Sequence, residues 1–301
     1  MNKIRWLTVT GIVCLSVTAT VAQAAIPQGS LQKTHLKYSQ RPALNEPVLR
    51  SSAALVLDTS NSSVLYSRRA AIAMPIASIT KLMTALVVMD AGQPLDETLT
   101  VSPDDHSVGK PIVSRLTIGT QLSRADLMHL ALMSSENRAA HTLGSNYPGG
   151  LAACVAAMNA KARELGMANA RFVEPTGLSD ENVASPEDLS KLVMAAAKVP
   201  AIREFSTDGD YVVQVGRRLV QFHNTDSLVN SADWNIVVQK TGYISRAGRC
   251  LVMQTVIDDR TLVIVLLNSF GKRTRVADAR RVRRWVEATL LTHTNAIATT
   301  T

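Results

Sequence analysis

Several features that are common in enzymes and binding proteins are missing from this chain of 301 residues. It has no glycine-rich loop of the kind that cradles phosphate, no nucleic-acid-binding motif and no internal repeat. No histidine forms a His-x-x-x-His pair or lies at ligand spacing from a cysteine; the six are His35, His106, His129, His141, His223 and His293. A metalloenzyme is therefore disfavoured, and we expect neither a metal nor a cofactor.

Aromatic residues are scarce, at 4% of the chain, whereas apolar residues as a whole make up 46%. This balance is ordinary for a globular protein and argues against disordered and fibrous classes. A chain of this length buries a large core, as one large domain or two small ones.

Long apolar runs are confined to the N-terminus. Lys3 and Arg5 precede the run from Trp6 to Val21, and Ala22-Gln23-Ala24 follows as a small-x-small cleavage site. This pattern predicts a signal peptide over residues 1–24, with the mature chain starting at Ala25. An uncleaved membrane anchor is the alternative.

Cysteine is rare, with three in the chain. Removal of the signal peptide takes away Cys14 and leaves Cys154 and Cys250 in an oxidising compartment. The two form either a disulfide or two separate packed thiols, and the sequence leaves both alternatives open.

Positive charge exceeds negative charge. The formal net charge is +8, and without Lys3 and Arg5 the mature chain carries +6. Exported basic proteins meet anionic cell-wall polymers and lipid headgroups. Nucleic acid is not expected as a partner, because export separates the chain from it.

The order of predicted elements indicates a mixed α/β (α+β) protein. Residues 25–50 contain scattered prolines without periodicity and are predicted to form an extended arm. We expect the folded domain over residues 51–292, with strands at both ends and an all-helical subdomain over about residues 95–205. Residues 293–301 are predicted to be a disordered tail.

The first candidate catalytic motif is Ser78-Ile79-Thr80-Lys81, at the start of an apolar helix. A spacing of three residues places both side chains on one helix face. A lysine whose pKa is lowered by burial can take the proton of a serine hydroxyl and make it a nucleophile. An N-cap serine followed by an exposed lysine is the non-catalytic alternative.

The second motif, Ser135-Glu136-Asn137, follows an apolar helical run. On a tight turn, Ser135 and Asn137 face one cleft, where they can transfer a proton and orient a substrate amide. The third motif, Lys240-Thr241-Gly242, is predicted at the end of a strand, where its cation and hydroxyl can hold a carboxylate. Taken singly, a polar loop is the favoured explanation of the second motif and a strand-end turn that of the third.

The three motifs in this order resemble those of low-molecular-mass penicillin-binding proteins, serine peptidases of the D-alanyl-D-alanine carboxypeptidase and endopeptidase family. The segments Ala77–Thr84, Leu132–Ala140, Glu174–Leu178 and Lys240–Tyr243 carry the resemblance. It implies the penicillin-recognising, β-lactamase-like fold, with a five-stranded antiparallel sheet flanked by helices and a helical subdomain.

The resemblance also implies a role for each motif residue. Ser78 would be the nucleophile and Lys81 the base, with Ser135 and Asn137 assisting. Lys240, Thr241 and Gly242 would bind the substrate, and backbone N–H groups of Ser78 and Tyr243 would form the oxyanion hole. Cross-linked peptidoglycan peptides would be the substrate, β-lactams covalent inhibitors, and other cell-wall hydrolases candidate partners.

Glu136 replaces the glycine of many family carboxypeptidases, which favours the endopeptidase branch (penicillin-binding protein 7 type). Three alternatives stay open: a D-alanyl-D-alanine carboxypeptidase, a serine β-lactamase that uses Glu174 to activate water, and a non-catalytic muropeptide-binding protein. A periplasmic location is expected. The basic terminal helix, with Arg280, Arg281, Arg283 and Arg284, predicts either a packed helix with a solvated face or loose membrane association.

Overall fold

A computed structural model describes residues 37–38, 46–102 and 114–298 of the chain, with side chains over 46–102 and 114–289. The predicted signal peptide lies outside the described residues. The strands are β1 (Lys37–Tyr38), β2 (Ser51–Asp58), β3 (Ser63–Arg68), β4 (Met74–Pro75), β5 (Thr98–Thr100), β6 (Gln121–Ser123), β7 (Val183–Ala184), β8 (Asp210–Val215), β9 (Arg218–His223), β10 (Asn235–Ile244), β11 (Gly248–Ile257) and β12 (Arg260–Ser269). The α-helices are α1 (Thr80–Asp90), α2 (Arg124–Met133), α3 (Asn137–Ser145), α4 (Gly150–Glu164), α5 (Pro186–Ala196), α6 (Pro200–Thr207) and α7 (Thr274–Ala298).

The main sheet has the strand order β1-β3-β2-β12-β11-β10. Five of these strands are antiparallel, and the two-residue β1 joins β3 in parallel. The turn between β11 and β12 falls at Asp258 and Asp259, whose φ angles of 46° and 59° suit a tight hairpin. β10 is an edge strand, so one side of it is left unpaired by the sheet.

Both faces of the sheet are covered by helices. Along β2, Leu55 and Leu57 pack with α1 and α5, whereas Ala54 and Val56 pack with α7. Because neighbouring residues of a strand point to opposite faces, a strand buried on both sides is apolar throughout. The predicted sheet with helices on both faces is therefore confirmed.

The helical segment differs in detail from an all-helical subdomain. β5 and β6 form a short ribbon, in which Leu99 pairs with Leu122. Each strand has only three residues, which is too short for an alternating pattern to stand out in the sequence. α5 packs on the main sheet and so belongs to its layer of helices.

Cys154 on α4 and Cys250 on β11 are separate buried thiols and do not form a disulfide. Burial raises the pKa of Cys154 to about 12 and that of Cys250 to about 11. Within the described ranges, no helix is both long and apolar enough to cross a bilayer.

The terminal helix is tied to the start of the sheet by one carboxylate. Asp278 is fully buried and accepts hydrogen bonds from the Ser51 amide (2.7 Å), the Ser51 hydroxyl (2.7 Å) and the Arg50 amide (3.0 Å). Arg281 pairs with its other oxygen at 2.6 Å. The helix continues to Ala298, past residue 292, because residues 293–298 contain neither glycine nor proline to end it.

We predict that Asp278→Ala lowers the free energy of unfolding by about 3 kcal/mol, because buried donors of Ser51 lose their acceptor. Urea unfolding followed by circular dichroism measures the change. Asp96→Ala, at an exposed position, is the matched control and should leave the midpoint unchanged. Equal midpoints for both variants would contradict the role given to Asp278.

Candidate active site

The first motif lies where the chain enters the buried helix. Residues Ala77–Ile79 form a 3-10 turn, α1 begins at Thr80, and every residue from Thr80 to Val88 is buried. The turn and the first helical residues bring Ser78 and Lys81 together, with Ser78 Oγ 3.0 Å from Lys81 Nζ. The lysine is thus held inside the protein, beside the hydroxyl.

Lys81 Nζ has two further partners. It lies 2.8 Å from Asn137 Oδ1 and 2.6 Å from the backbone oxygen of Thr176. Both atoms are acceptors, so each takes one N–H of the amine. A neutral amine has only two N–H hydrogens, and its lone pair is left to face the Ser78 hydroxyl. This arrangement is the one required for a base that removes the serine proton.

The protonation state of Lys81 suits that task. Burial lowers the pKa of Lys81 to about 8, while the negative charges of Glu174 and Glu136 partly oppose the shift. A substantial fraction of the amine is therefore neutral near physiological pH.

The second motif joins α2 to α3. Asn137 is the first residue of α3, which directs its side chain to Lys81. Ser135 has a φ of 61°, a left-handed conformation that is uncommon for serine, and it is half-buried. Its hydroxyl has no hydrogen-bond partner among residues 46–102 and 114–289, so the structure brings Asn137, but not Ser135, into direct contact with Lys81.

Glu136 organises the backbone next to the second motif. Its carboxylate caps α3 by accepting from the Arg138 amide (3.0 Å). The other oxygen accepts from the Arg115 amide (2.9 Å) and from the Ser114 hydroxyl. A glycine at position 136 would provide none of these bonds. Glu136 thus fixes residues 114–116 against the start of α3.

The third motif lies within edge strand β10, which continues to Ile244 and does not end at the motif. Lys240 is fully buried, and its Nζ donates to the Thr241 carbonyl at 2.9 Å. Burial, together with repulsion from Lys81 and Arg275, holds the pKa of Lys240 well below its usual value. The Thr241 hydroxyl bonds that of Thr225 at 2.7 Å.

Gly242 allows β10 to pass directly beside Ser78. A Cβ atom at this position would lie 3.0 Å from the backbone nitrogen of Ser78 and 3.0 Å from the oxygen of Ile76. The Ser78 nitrogen belongs to the first turn of a helix, where N–H groups lack an intrahelical acceptor. Tyr243, the next residue, is half exposed, and the Arg249 guanidinium lies 4.5 Å from its ring centroid.

The sequence identified Glu174 only as a loop residue or as a β-lactamase-type base. In the structure its carboxylate organises the loop that carries Thr176. One oxygen accepts from the Gly177 amide (2.6 Å) and the Asn182 side chain (2.8 Å), and the other from the Thr176 amide (2.6 Å). With both oxygens occupied by protein donors, Glu174 is not placed to activate a water molecule as a β-lactamase base.

Arg275 was missed as a site residue, because the sequence shows it as one of many cations of the terminal helix. Its Nη2 donates to the Thr225 carbonyl at 3.3 Å, which places its charge behind the Thr225–Thr241 pair. Asp226, next to Thr225, is buried, and Arg275 and Lys240 both act on it electrostatically. The third motif is thus backed by charges that meet only in the folded chain.

Comparison with known proteins agrees with this arrangement. Residues 40–271 match the family described as D-alanyl-D-alanine carboxypeptidase. The chain belongs to this family of serine peptidases. The family resemblance predicted from the three motifs is therefore confirmed.

Two curated relatives of this serine peptidase are named D-alanyl-D-alanine endopeptidase. The protein of Pseudomonas aeruginosa is 45% identical over 292 residues, which cover 96% of this chain and 90% of the relative. The protein of Escherichia coli K12 is 46% identical over 245 residues, with 81% and 79% covered.

Solved structures share the fold of the serine peptidase. The D-alanyl-D-alanine carboxypeptidase of Mycobacterium tuberculosis H37Rv has a TM-score of 0.74 at 26% identity and covers 82% of this chain and 94% of its own. The Streptomyces K15 DD-transpeptidase has a TM-score of 0.75 at 23% identity, with 81% and 100% covered. These neighbours confirm the predicted fold class.

Acylation of the serine peptidase by a labelled penicillin should depend on the protonation of Lys81. Only the neutral amine accepts the serine proton, so we predict that the rate rises with pH and levels off above a midpoint of about 8. Stopped-flow fluorescence from about pH 6 to about pH 9 measures it. Lys81→Arg should be inert at every pH, because a guanidinium is not deprotonated in proteins. A flat profile for the wild type would contradict Lys81 as the base.

Glu174→Gln should move that midpoint to lower pH. The substitution removes a negative charge that raises the pKa of Lys81, and it weakens the loop that holds the Thr176 carbonyl. We expect the plateau rate to fall by about tenfold. Glu181→Gln, at an exposed residue of the same loop, should change neither quantity. An unchanged midpoint in correctly folded Glu174→Gln protein would refute the electrostatic link.

Proposed function

We propose that this protein is a periplasmic DD-endopeptidase that cleaves D-alanyl–diaminopimelate cross-links of peptidoglycan through a serine acyl-enzyme. The observation that carries the proposal is the position of Lys81 Nζ, which lies 3.0 Å from Ser78 Oγ and is held by the carbonyl oxygens of Asn137 and Thr176. Identity of 45–46% to two proteins named D-alanyl-D-alanine endopeptidase supports the substrate class.

Acylation starts with the transfer of the Ser78 hydroxyl proton to Lys81 Nζ. Ser78 Oγ then bonds to the carbonyl carbon of the D-alanyl residue, and the carbonyl oxygen becomes an oxyanion. Backbone N–H groups of Ser78 and Tyr243 stabilise that charge. Collapse of the intermediate breaks the C–N bond, and the leaving amine receives a proton from Lys81. Ser135, whose hydroxyl forms no hydrogen bond with a described residue, is proposed to relay this proton once bound substrate bridges the two side chains.

Hydrolysis completes the cycle. Lys81, neutral again, takes a proton from water, and the resulting hydroxide attacks the ester carbon. The ester bond to Ser78 breaks and the serine oxygen recovers a proton. Asn137 serves both halves of the reaction, because its side-chain oxygen keeps the Lys81 amine in place. β-Lactams would enter the first half only and remain as a stable ester.

The third motif is proposed to bind the carboxylate next to the scissile nitrogen. Thr241 offers its hydroxyl, and Arg275 provides positive charge behind it. Lys240 adds a second cation when a bound carboxylate favours its protonation. Gly242 lets an extended peptide lie close to β10 as an added strand. Because this clamp would bind terminal D-alanine equally well, carboxypeptidase activity is the competing possibility, and the family description includes it.

Incubation with purified cross-linked muropeptide dimers tests the proposal. We predict conversion to monomers without prior loss of terminal D-alanine, as followed by mass spectrometry. Ser78→Ala should abolish both this conversion and the covalent penicillin adduct, because no nucleophile remains.

Ser134→Ala is the matched control. Its hydroxyl bonds only the Leu130 carbonyl at the end of α2, so the variant should keep wild-type rates. Release of D-alanine alone would make the protein a carboxypeptidase. Binding of dimers with no cleavage and no penicillin adduct would indicate the non-catalytic alternative.

A further inference from the structure

A basic groove lies beside the third motif. The cavity has a volume of about 730 Å³, and its cationic lining consists of Lys272, Arg273, Arg275, Arg280, Arg281 and Arg284. Among the residues that the structure describes, no aspartate or glutamate lines it. Such a concentration of one sign of charge in a concave surface attracts anions.

One wall of the groove follows from the periodicity of residues along α7. Arg273, just before α7, and Ala277, Arg280 and Arg284 within it recur every three or four residues and so follow one helix face. Ala277, between Arg273 and Arg280 on this face, has a small side chain and leaves space for the groove. Among the described residues, Arg273, Arg280 and Arg284 form no ion pair, and all three are exposed. Their charges are therefore free to meet a ligand.

The groove adjoins the third motif at Thr225. This residue lines the groove, and its hydroxyl bonds that of Thr241 at 2.7 Å. Its amide donates to the Met133 carbonyl at 3.1 Å, just before the second motif. Arg275 connects the same residue to α7. A ligand that hydrogen-bonds Thr241 would therefore lie next to a residue of the groove.

We propose that this groove binds the acidic stem peptide on the leaving-group side of the cross-link, an inference that rests on the proposed endopeptidase function. In the endopeptidase reaction the leaving group is a peptide that carries further carboxylates beyond the one next to the scissile nitrogen. In the carboxypeptidase reaction it is free D-alanine, which has nothing to place in the groove. The groove therefore selects cross-linked over terminal substrates.

The test measures binding separately from cleavage. In a Ser78→Ala background, which keeps substrates intact, the Kd of a fluorescent cross-linked muropeptide dimer is compared with that of a monomeric pentapeptide. Arg280→Gln/Arg284→Gln should raise the Kd of the dimer about fivefold and leave that of the pentapeptide unchanged. Added salt should weaken dimer binding more in the parent than in this variant.

The matched control is Arg217→Gln/Arg218→Gln, which removes two exposed arginines of the β8–β9 hairpin. It should leave both Kd values unchanged. An equal loss with the control, an equal loss for the pentapeptide, or no preference of the parent for the dimer would each overturn the proposal.

A membrane surface is the competing anion. If Arg280→Gln/Arg284→Gln reduces sedimentation with phosphatidylglycerol vesicles but leaves the Kd of the dimer unchanged, the groove binds lipid and the proposal is wrong. Failure of the proposed function has a different signature, because protein with Ser78 intact would then leave dimers uncut, while the binding assay would still decide the role of the groove.

Discussion

The site depends on one buried amine, Lys81 Nζ, which has three oxygen neighbours. A neutral amine can donate to only two of them. Lys81 contacts the Asn137 and Thr176 carbonyl oxygens, and these leave one direction for its lone pair, toward Ser78. Each contact comes from a different part of the chain. The 3-10 turn before α1 supplies the serine, α1 the lysine, α3 the amide, and the loop organised by Glu174 the backbone oxygen. These segments must therefore all be folded before the Lys81 amine is held beside Ser78.

The turn that carries Ser78, Ala77–Ile79, is likewise fixed by contacts from distant parts of the chain, because backbone segments pack against it from two sides. Ala77 has a φ of 50°, a left-handed conformation that an alanine adopts only under constraint. A Cβ at Gly177 would lie 2.0 Å from the Ala77 oxygen, and one at Gly242 would lie 3.1 Å from the Ala77 Cβ. The two glycines let a loop and an edge strand close on the turn, so that its geometry follows from packing more than from local preference.

Much of this could be predicted from sequence, because periodicity and turn chemistry are local signals. The β2–β3 and β11–β12 hairpins, buried helix α1 and the Ser185 capping box of α5 follow from such patterns. Three features are not local. The β5–β6 ribbon is too short for a pattern, the Glu174 carboxylate bonds a loop that has no regular structure, and Arg275 reaches Thr225 only after α7 has packed.

Burial lowers the pKa of both lysines of the site, but the consequence for the proposed function differs between them. For Lys81 a lowered pKa produces the neutral amine that a base requires. For Lys240, desolvation and repulsion from Lys81 and Arg275 both lower the pKa, and so oppose the positive charge that would bind a carboxylate. Among the described residues, the negative charge of Asp226 counteracts this shift. A substrate carboxylate at Thr241 brings the missing negative charge, so Lys240 gains its proton most readily when substrate is bound. The same burial thus leaves Lys81 a neutral amine and makes the charge of Lys240 depend on a bound anion.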